Sequence, residues 1–389
     1  MAIPLSYNFR NLLERKTTTM MTALGIGLTV AVMLGILGML AGLRSSFQAT
    51  GHPLQLVVLR KGSTAELSSQ VSREHFQVLR SKQGIRNDGG EPMISHEAVT
   101  VANLRLKGGG GNGANVNVRG MSPMGVRLRE ETVNLQSGRW FTPGQRELAV
   151  GRGVADTYED AALGSQLQLG RTWWTVVGVF EGGQTAFNGE IWCDGNLLGS
   201  DAGRTSVLSS ALLRASDPAA ASALIHAVSG DQRLNHEATP ELEYYLRQTE
   251  SGRPLQILGV FVAIVMAVGS SFAAMNTMYA AVARRTREIG VLRVLGFSGP
   301  SILTSFVIES MLLALLGGVL ACLLTLPFNG LAGRMGNSVT FSSSLFQFRV
   351  TPEMIAAGLA FALIMGLLGG LLPARAASRK TVLNALRDL

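Results

Sequence analysis

At 389 residues, with 47% apolar residues, a mean hydropathy of +0.27 and a formal net charge of +8, the chain is more apolar than most soluble domains and far too apolar for a disordered segment. Its two cysteines, Cys193 and Cys322, lie in a polar region and an apolar run respectively, so a disulfide framework is excluded. The basic excess is confined to particular segments. Arg44 to Arg253 carries 21 basic and 21 acidic residues, whereas the two terminal segments and the stretch 284–297 hold eleven basic residues against three acids, which accounts for the whole +8. That distribution is the signature of membrane topology rather than of a nucleic-acid footprint.

Residues 1–19 place Ile3, Leu5, Phe9, Leu12 and Leu13 among Arg10, Arg15 and Lys16, a pattern that predicts an amphipathic helix on the inner membrane face. The uncharged run 20–43 is too long for a signal-peptide core and reads as a first, uncleaved span. Gly38 and Gly42 give it a small-xxx-small face for close helix approach.

Residues 44–254 read as one extracytoplasmic α/β domain, with α/β halves at 53–130 and 205–252 and a β-rich insert at 133–200. LQLVVLR (Leu54–Arg60) predicts a strand, Ser72–Ser81 a helix, and Ala98–Leu106 and NVNV (Asn115–Val118) further strands. The glycine run Gly108–Gly113 lacks the following Lys-Ser/Thr and helix of a phosphate cradle, so it is assigned to a hairpin tip. In the insert, short strands such as WWTVVGVF are punctuated by Gly and Pro. SSALLRA returns to a strand, and Asp217 caps a helix starting at Pro218. The five histidines (His52, His75, His96, His226 and His236) show neither HExxH spacing nor a cysteine partner for zinc, and no G-x-S-x-G elbow occurs. No catalytic set and no metal site is predicted.

Three more spans follow at 255–283, 301–326 and 353–373, with an outer loop at 328–352 and a C-terminal cytoplasmic helix at 374–389. The second span carries Asn276 and the third Glu309, an acid expected to hydrogen-bond Asn276 or Ser271 and so pin helix packing. Gly366 and Gly370 mark a small face on the fourth span. Between spans two and three lies 284–297, where Arg284, Arg285, Arg287 and Arg293 surround Glu288 and the apolar Ile289, Leu292 and Leu295. The arginines place this turn in the cytoplasm, and the mixture of acid and apolar residues predicts an ordered helix.

MNTMYAAVARRTREIGVLRVLGF (Met275–Phe297), IESMLLALLGG (Ile308–Gly318), PARAASRKTVLNALR (Pro373–Arg387), GRWFTPGQRELAVG (Gly138–Gly151) and WWTVVGVFEGG (Trp173–Gly183) together resemble the ABC transporter permeases of the macrolide-exporter and lipoprotein-releasing type, a group that includes the cell-division permease FtsX. The resemblance spans the full length. It implies a helical membrane protein with four spans (1+3) plus the large extracytoplasmic domain, in the bacterial inner membrane with both termini cytoplasmic. It implies that Arg284, Arg285, Arg287, Glu288, Ile289, Leu292, Arg293 and Leu295 form a coupling helix on an ABC ATPase subunit. It also implies a permease homodimer, or a heterodimer with a related permease, together with a periplasmic adaptor and outer-membrane channel. The sequence has no G-x-x-x-x-G-K-[ST], so the chain is expected to be no enzyme, and ATP and Mg would be bound by the partner. Expected functions are export or extraction of a lipophilic, peptide or drug-like substrate or, alternatively, mechanical regulation of an extracytoplasmic enzyme without transport. A motorless receptor is disfavoured because it would need only a bland turn at 284–297.

Overall fold

The computed structural model describes residues 10, 14, 16–108, 113–203, 206–249, 253–337 and 342–379. The predicted helix at 1–19, the end of that at 374–389 and the tip of the glycine run lie largely outside the described residues. The chain forms two compact units. One comprises 1–41, 254–331 and 348–389, the other 42–253 and 332–347.

In the helical unit, four helices among the described residues are long and apolar enough to cross a membrane. They are Lys16–Thr50, Arg253–Arg284, Gly299–Thr325 and Pro352–Ser378. The first is longer than the apolar run 20–43, taking in residues 16–19 before it and continuing to Thr50 after it, where Thr50 Oγ1 donates to the Ser46 carbonyl in the last turn. Hydroxyl pairs tie the first two helices together: Thr22 Oγ1 donates to Thr277 Oγ1 at 3.2 Å, and Thr29 Oγ1 lies 2.6 Å from Ser270 Oγ. On the fourth helix, a Cβ at Gly366 would lie 2.6 Å from the Ala314 Cβ, and one at Gly370 would collide with Ser310, so both positions approach the third helix closely. Gly38 and Gly42 differ from expectation. They face Phe348 and Gln347 of the chain after the third helix, not a neighbouring helix; the small-residue contact of the first helix is made by Gly27 against Gly317.

The other unit is built on ten strands, numbered here in chain order: β1 (Gln55–Arg60), β2 (Ile94–Arg105), β3 (Gly113–Met121), β4 (Asn134–Gly138), β5 (Glu147–Gly151), β6 (Gln166–Leu169), β7 (Thr172–Glu181), β8 (Glu190–Asp194), β9 (Ser210–Arg214) and β10 (His236–Pro240). Their order is β10-β1-β9-β2-β3-β8-β5-β7-β4, with β6 paired to β7. The β7–β5 and β8–β3 pairs are parallel and the rest antiparallel.

The predicted β-rich insert shares one sheet with the two α/β halves. Its strands β8, β5, β7 and β4 continue the same sheet beyond β3. The long strand β2 bridges two cores, giving Ile94 to one built on Leu56, Leu79, Leu213 and Leu224 and Ala98 and Leu104 to the other, built on Val118, Leu148, Tyr158 and Trp174. β3 thus belongs with the insert rather than with the half 53–130. The predicted outer loop 328–352 is corrected as well. Residues Ala332–Asn337 and Ser342–Gln347 pair as a hairpin that joins this unit and packs on β3, with Leu345 close to Gly153 and Gly189.

One helix follows its predicted start signal, and a second is capped in the same way. Asp217 Oδ1 accepts from Ala220 N at 2.8 Å ahead of helix Pro218–Ser229, and Ser72 Oγ accepts from His75 N at 3.1 Å ahead of Arg73–Arg80.

Candidate functional site

The stretch after the second membrane helix folds as a helical elbow with identifiable stops. Helix Arg253–Arg284 breaks at Arg285 (φ −104°, ψ 17°), whose N–H is shared between the carbonyls of Ala281 and Val282. A short helix, Thr286–Val294, then ends in a glycine cap. Gly296 takes φ +90°, Gly296 N donates to Arg293 O, and Phe297 N donates to Leu292 O at 3.0 Å, the paired bonds of a Schellman motif. Ser298 Oγ accepts from Ser301 N, and Pro300 sits in the first turn of the next membrane helix.

Helix phase divides the predicted site residues between two faces. Arg285 and Ile289, one turn apart, are buried. Ile289 enters a cluster with Met278, Val282, Ile302, Phe306, Ala374 and Ala377 from the three neighbouring membrane helices. The Arg285 guanidinium Nη1 donates to Glu309 Oε2 at 2.9 Å, and both side chains are buried. This corrects two expectations. Glu309 is held by Arg285 rather than by Asn276 or Ser271, and Asn276 is exposed. Arg285 and Ile289 anchor the elbow and are not available to a docking partner.

The opposite face displays Arg284, Arg287 and Glu288, with Leu292 and Arg293 half-buried. Val291, Val294 and Leu295 are 53%, 66% and 64% exposed. Val291 and Val294 were not among the predicted residues, although their spacing from Glu288 and Arg287 puts them on the same face. A nine-residue helix, clamped inside by an ion pair and presenting valine, leucine and mixed charge outside, has the form of a peg for a complementary groove.

The sheet unit holds a second concentration of charge, which sequence reasoning missed. Arg119 is buried and bonds three carboxylates: Glu66 at 2.7 Å, Glu97 at 2.9 Å and Glu190 at 3.1 Å. Arg129 also bonds Glu97, at 2.7 Å. Ser210 Oγ donates to Glu66 and Trp192 Nε1 to Glu190. Burial pushes the Glu66 carboxyl up, but the Arg119 charge and hydrogen bonds outweigh it and hold the group below the ordinary carboxylate range. Glu241, beside this cluster, is pushed up to about 7 by burial, Arg129 only partly opposing; its Oε2 accepts from His52 N, and Oε1 has no hydrogen-bond partner among the described residues. For Glu97, Arg119 and Glu190 the signal was present in the sequence as charges within strand-forming stretches.

Two of the histidines pack on one another. His75 and His236 meet edge to face at 5.0 Å, and no group of three metal-binding side chains occurs among the described residues.

Comparison with known proteins matches residues 19–230 to the MacB-like periplasmic core domain and residues 260–382 to the FtsX-like permease C-terminal region. The chain is 28% identical to the macrolide export ATP-binding/permease protein MacB of Hyphomonas neptunium, over 97% of this chain and 59% of that one. It is 34% identical to the uncharacterized ABC transporter permease YknZ of Bacillus subtilis, over 34% of this chain and 31% of that protein. Among solved structures, the periplasmic region of MacB from Actinobacillus actinomycetemcomitans aligns with a TM-score of 0.38 at 11% identity, covering 50% of this chain and 91% of that one. The chain spans about three fifths of the length of the curated full-length relatives it matches. With four apolar helices, the periplasmic core domain over more than half its length and the permease region after it, the chain is a membrane protein that belongs to the MacB/FtsX-like permease family.

Proposed function

We propose that this chain is the permease part of an ABC transporter and that helix Thr286–Val294 is its coupling helix, seated in a groove of a partner ATPase that binds ATP and Mg. The observation that carries this reading is the two-faced elbow: an outer face of Arg284, Arg287, Glu288, Val291, Val294 and Leu295 on a helix fixed from inside by Arg285–Glu309 and Ile289. A membrane protein with no docking partner at this point would gain nothing from exposing three aliphatic side chains beside charges of both signs. In this reading the chain sits in the inner membrane with both ends cytoplasmic and works as a dimer with itself or a related permease. ATPase movement passes through the helices to the extracytoplasmic domain. It there drives export or extraction of a lipophilic, peptide or drug-like substrate, with a periplasmic adaptor and outer-membrane channel as further partners. The names of the MacB relatives support the export form over a purely regulatory one.

The test is co-purification of the full chain with its ABC ATPase. Glu288→Lys and Val294→Asp alter only exposed side chains, so both variants should insert normally while ATPase recovery falls about tenfold or more, through introduced repulsion and a desolvated charge. Undiminished recovery in both would remove the coupling role.

A further inference from the structure

Within the sheet unit, the chain leaving the first membrane helix and the chain returning toward the second are fastened to each other at one buried carboxyl group. Helix Lys16–Thr50 runs through residues 51–54 into β1, and helix Glu241–Gln248 follows β10 and precedes helix Arg253–Arg284. The two connections touch backbone to backbone. A Cβ at Gly51 would lie 2.4 Å from Leu242 Cα and 2.7 Å from Leu242 N, so only glycine fits there. Phe47, in the last turns of the first helix, stacks on Tyr245 with centroids 6.2 Å apart. Across the same contact His52 N donates to Glu241 Oε2 at 3.0 Å. The His52 ring holds its own segment in place: Nδ1 accepts from Leu54 N at 3.1 Å, and Nε2 lies 3.1 Å from Arg214 Nη2 and 3.3 Å from Glu131 Oε2.

The carboxyl at this contact is badly placed to carry a charge. Glu241 is 1% exposed, and Oε1 has no hydrogen-bond partner among the described residues. The groups that face it oppose one another. Arg129 and Arg119 favour the carboxylate, Glu97 disfavours it, and Tyr245 on the same helix is a neutral phenol. Both guanidiniums are already bonded to Glu66, Glu97 or Glu190, so burial outweighs them and pushes Glu241 up to about 7. As a neutral acid, Glu241 accepts from His52 N and leaves no charge in the contact. As a carboxylate it puts a buried charge there with one oxygen unsolvated, and that charge is relieved when residues 51–54 move off and admit water. His52 does not compete for this role, because burial and Arg214 push its imidazole below the ordinary value and it sheds its proton before Glu241 does.

We propose that Glu241 is a proton-operated latch: carrying its proton, it holds residues 51–54 against helix Glu241–Gln248, and losing the proton lets the two connections part. The sign follows from linkage. The closed contact keeps the proton over an interval in which the opened, solvated carboxyl has released it, so closure weakens as pH rises toward and through 7. The latch lies wholly within the sheet unit and rests neither on ATPase docking nor on any nucleotide.

The test is amide hydrogen exchange of the full chain in lipid nanodiscs at pH 6 and pH 8, with rates corrected for base catalysis and expressed as protection factors. In the wild type, protection over residues 51–55 and 242–246 should fall about tenfold from pH 6 to pH 8, as expected for a group titrating near 7 that is ionised throughout this range once opened. Protection in β5 and β7 should not change. Glu241→Gln keeps the shape of the neutral acid and an acceptor for His52 N, so its protection should stay at the wild-type pH 6 level at both values. Glu241→Ala lacks the acceptor and should be open at both. A wild-type profile that levels off above about pH 8 would identify the titrating group even if neither variant folds. Equal wild-type protection at pH 6 and pH 8, or a Gln variant that loses protection as the wild type does, would overturn the proposal. So would global stability that falls with pH while the junction exchanges at a constant rate, since Glu241 would then be a buried acid and no latch.

Discussion

Glu309→Gln provides the sharpest test of the elbow. In the wild type, Arg285 and Glu309 are both buried and joined at 2.9 Å, 24 residues apart in sequence. Removing the charge of one partner leaves the other buried and uncompensated, a loss of roughly 3–5 kcal/mol when such a pair is broken. Glutamine keeps an acceptor oxygen at the same place, so the lower end, about 3 kcal/mol, is expected. The penalty should appear as local opening rather than global unfolding, because the pair ties a nine-residue helix to the helix Gly299–Thr325. At 1.4 kcal/mol per factor of ten, amide hydrogen exchange over Ile289–Leu295 should accelerate about a hundredfold in nanodiscs. Exchange in β1 and β9, which lie in the other unit, should not change. The double variant Arg285→Met/Glu309→Leu replaces both charges by apolar groups of similar length and should recover protection to within about tenfold of wild type. If Glu309→Gln exchanges as slowly as wild type, or if the double variant is as open as the single one, the ion pair is not what holds the elbow.

Three further substitutions probe the rest of the architecture. Glu241 has a folded value of about 7 against an ordinary 4.5, so over that interval the native chain holds a proton the unfolded chain has released, and stability falls as pH rises. Glu241→Gln removes this term, and its stability advantage over wild type should grow by about 3 kcal/mol between pH 4 and pH 8, followed by urea unfolding with tryptophan fluorescence; a pH-independent difference would show that Glu241 titrates normally. All four tryptophans (Trp140, Trp173, Trp174 and Trp192) lie in the sheet unit, so this signal reports on it alone. Arg119→Met leaves Glu66 and Glu190 buried without their cation, Glu97 alone keeping Arg129, and should cost roughly 3–5 kcal/mol by the same measurement. A loss below about 1 kcal/mol would mean that solvent reaches the cluster. Gly366→Val sets a side chain against Ala314 and the Ser310 carbonyl, and should lower thermal stability of the full chain by about 1–3 kcal/mol of overpacking, whereas an unchanged transition would show that the third and fourth helices part freely.

What could be read directly was whatever depends on neighbours in sequence. The spans follow from apolar runs, and the cap at Asp217 follows from a single residue and the proline after it. Strands such as β1, β2 and β7 were legible one by one, but β8 and β10 were not, nor was the order, because β8 returns from residue 190 to lie beside β3 near residue 117, a pairing that no local pattern announces. The hairpin at 332–347 was missed for a different reason: AGRMGN and SSSLFQ are rich in Gly and Ser and lack the alternation that marks a strand, so their strand character depends on the surface they pack against.

The elbow shows how such a miss alters a functional reading. The charge distribution treats Arg284, Arg285, Arg287 and Arg293 as equivalent, since topology counts charges without regard to direction. Helix phase does not. Residues 285 and 289 face one way, whereas 287, 288, 291 and 294 face the other. One arginine is therefore structural, its charge spent on Glu309, while its neighbours remain available to a partner. Removing an outward arginine should alter what docks on the elbow. Removing Arg285 should release the elbow itself. Loss of partner binding in an Arg285 variant therefore says nothing about contact with that partner unless the inner pair is first restored by an apolar replacement on both sides, as in Arg285→Met/Glu309→Leu.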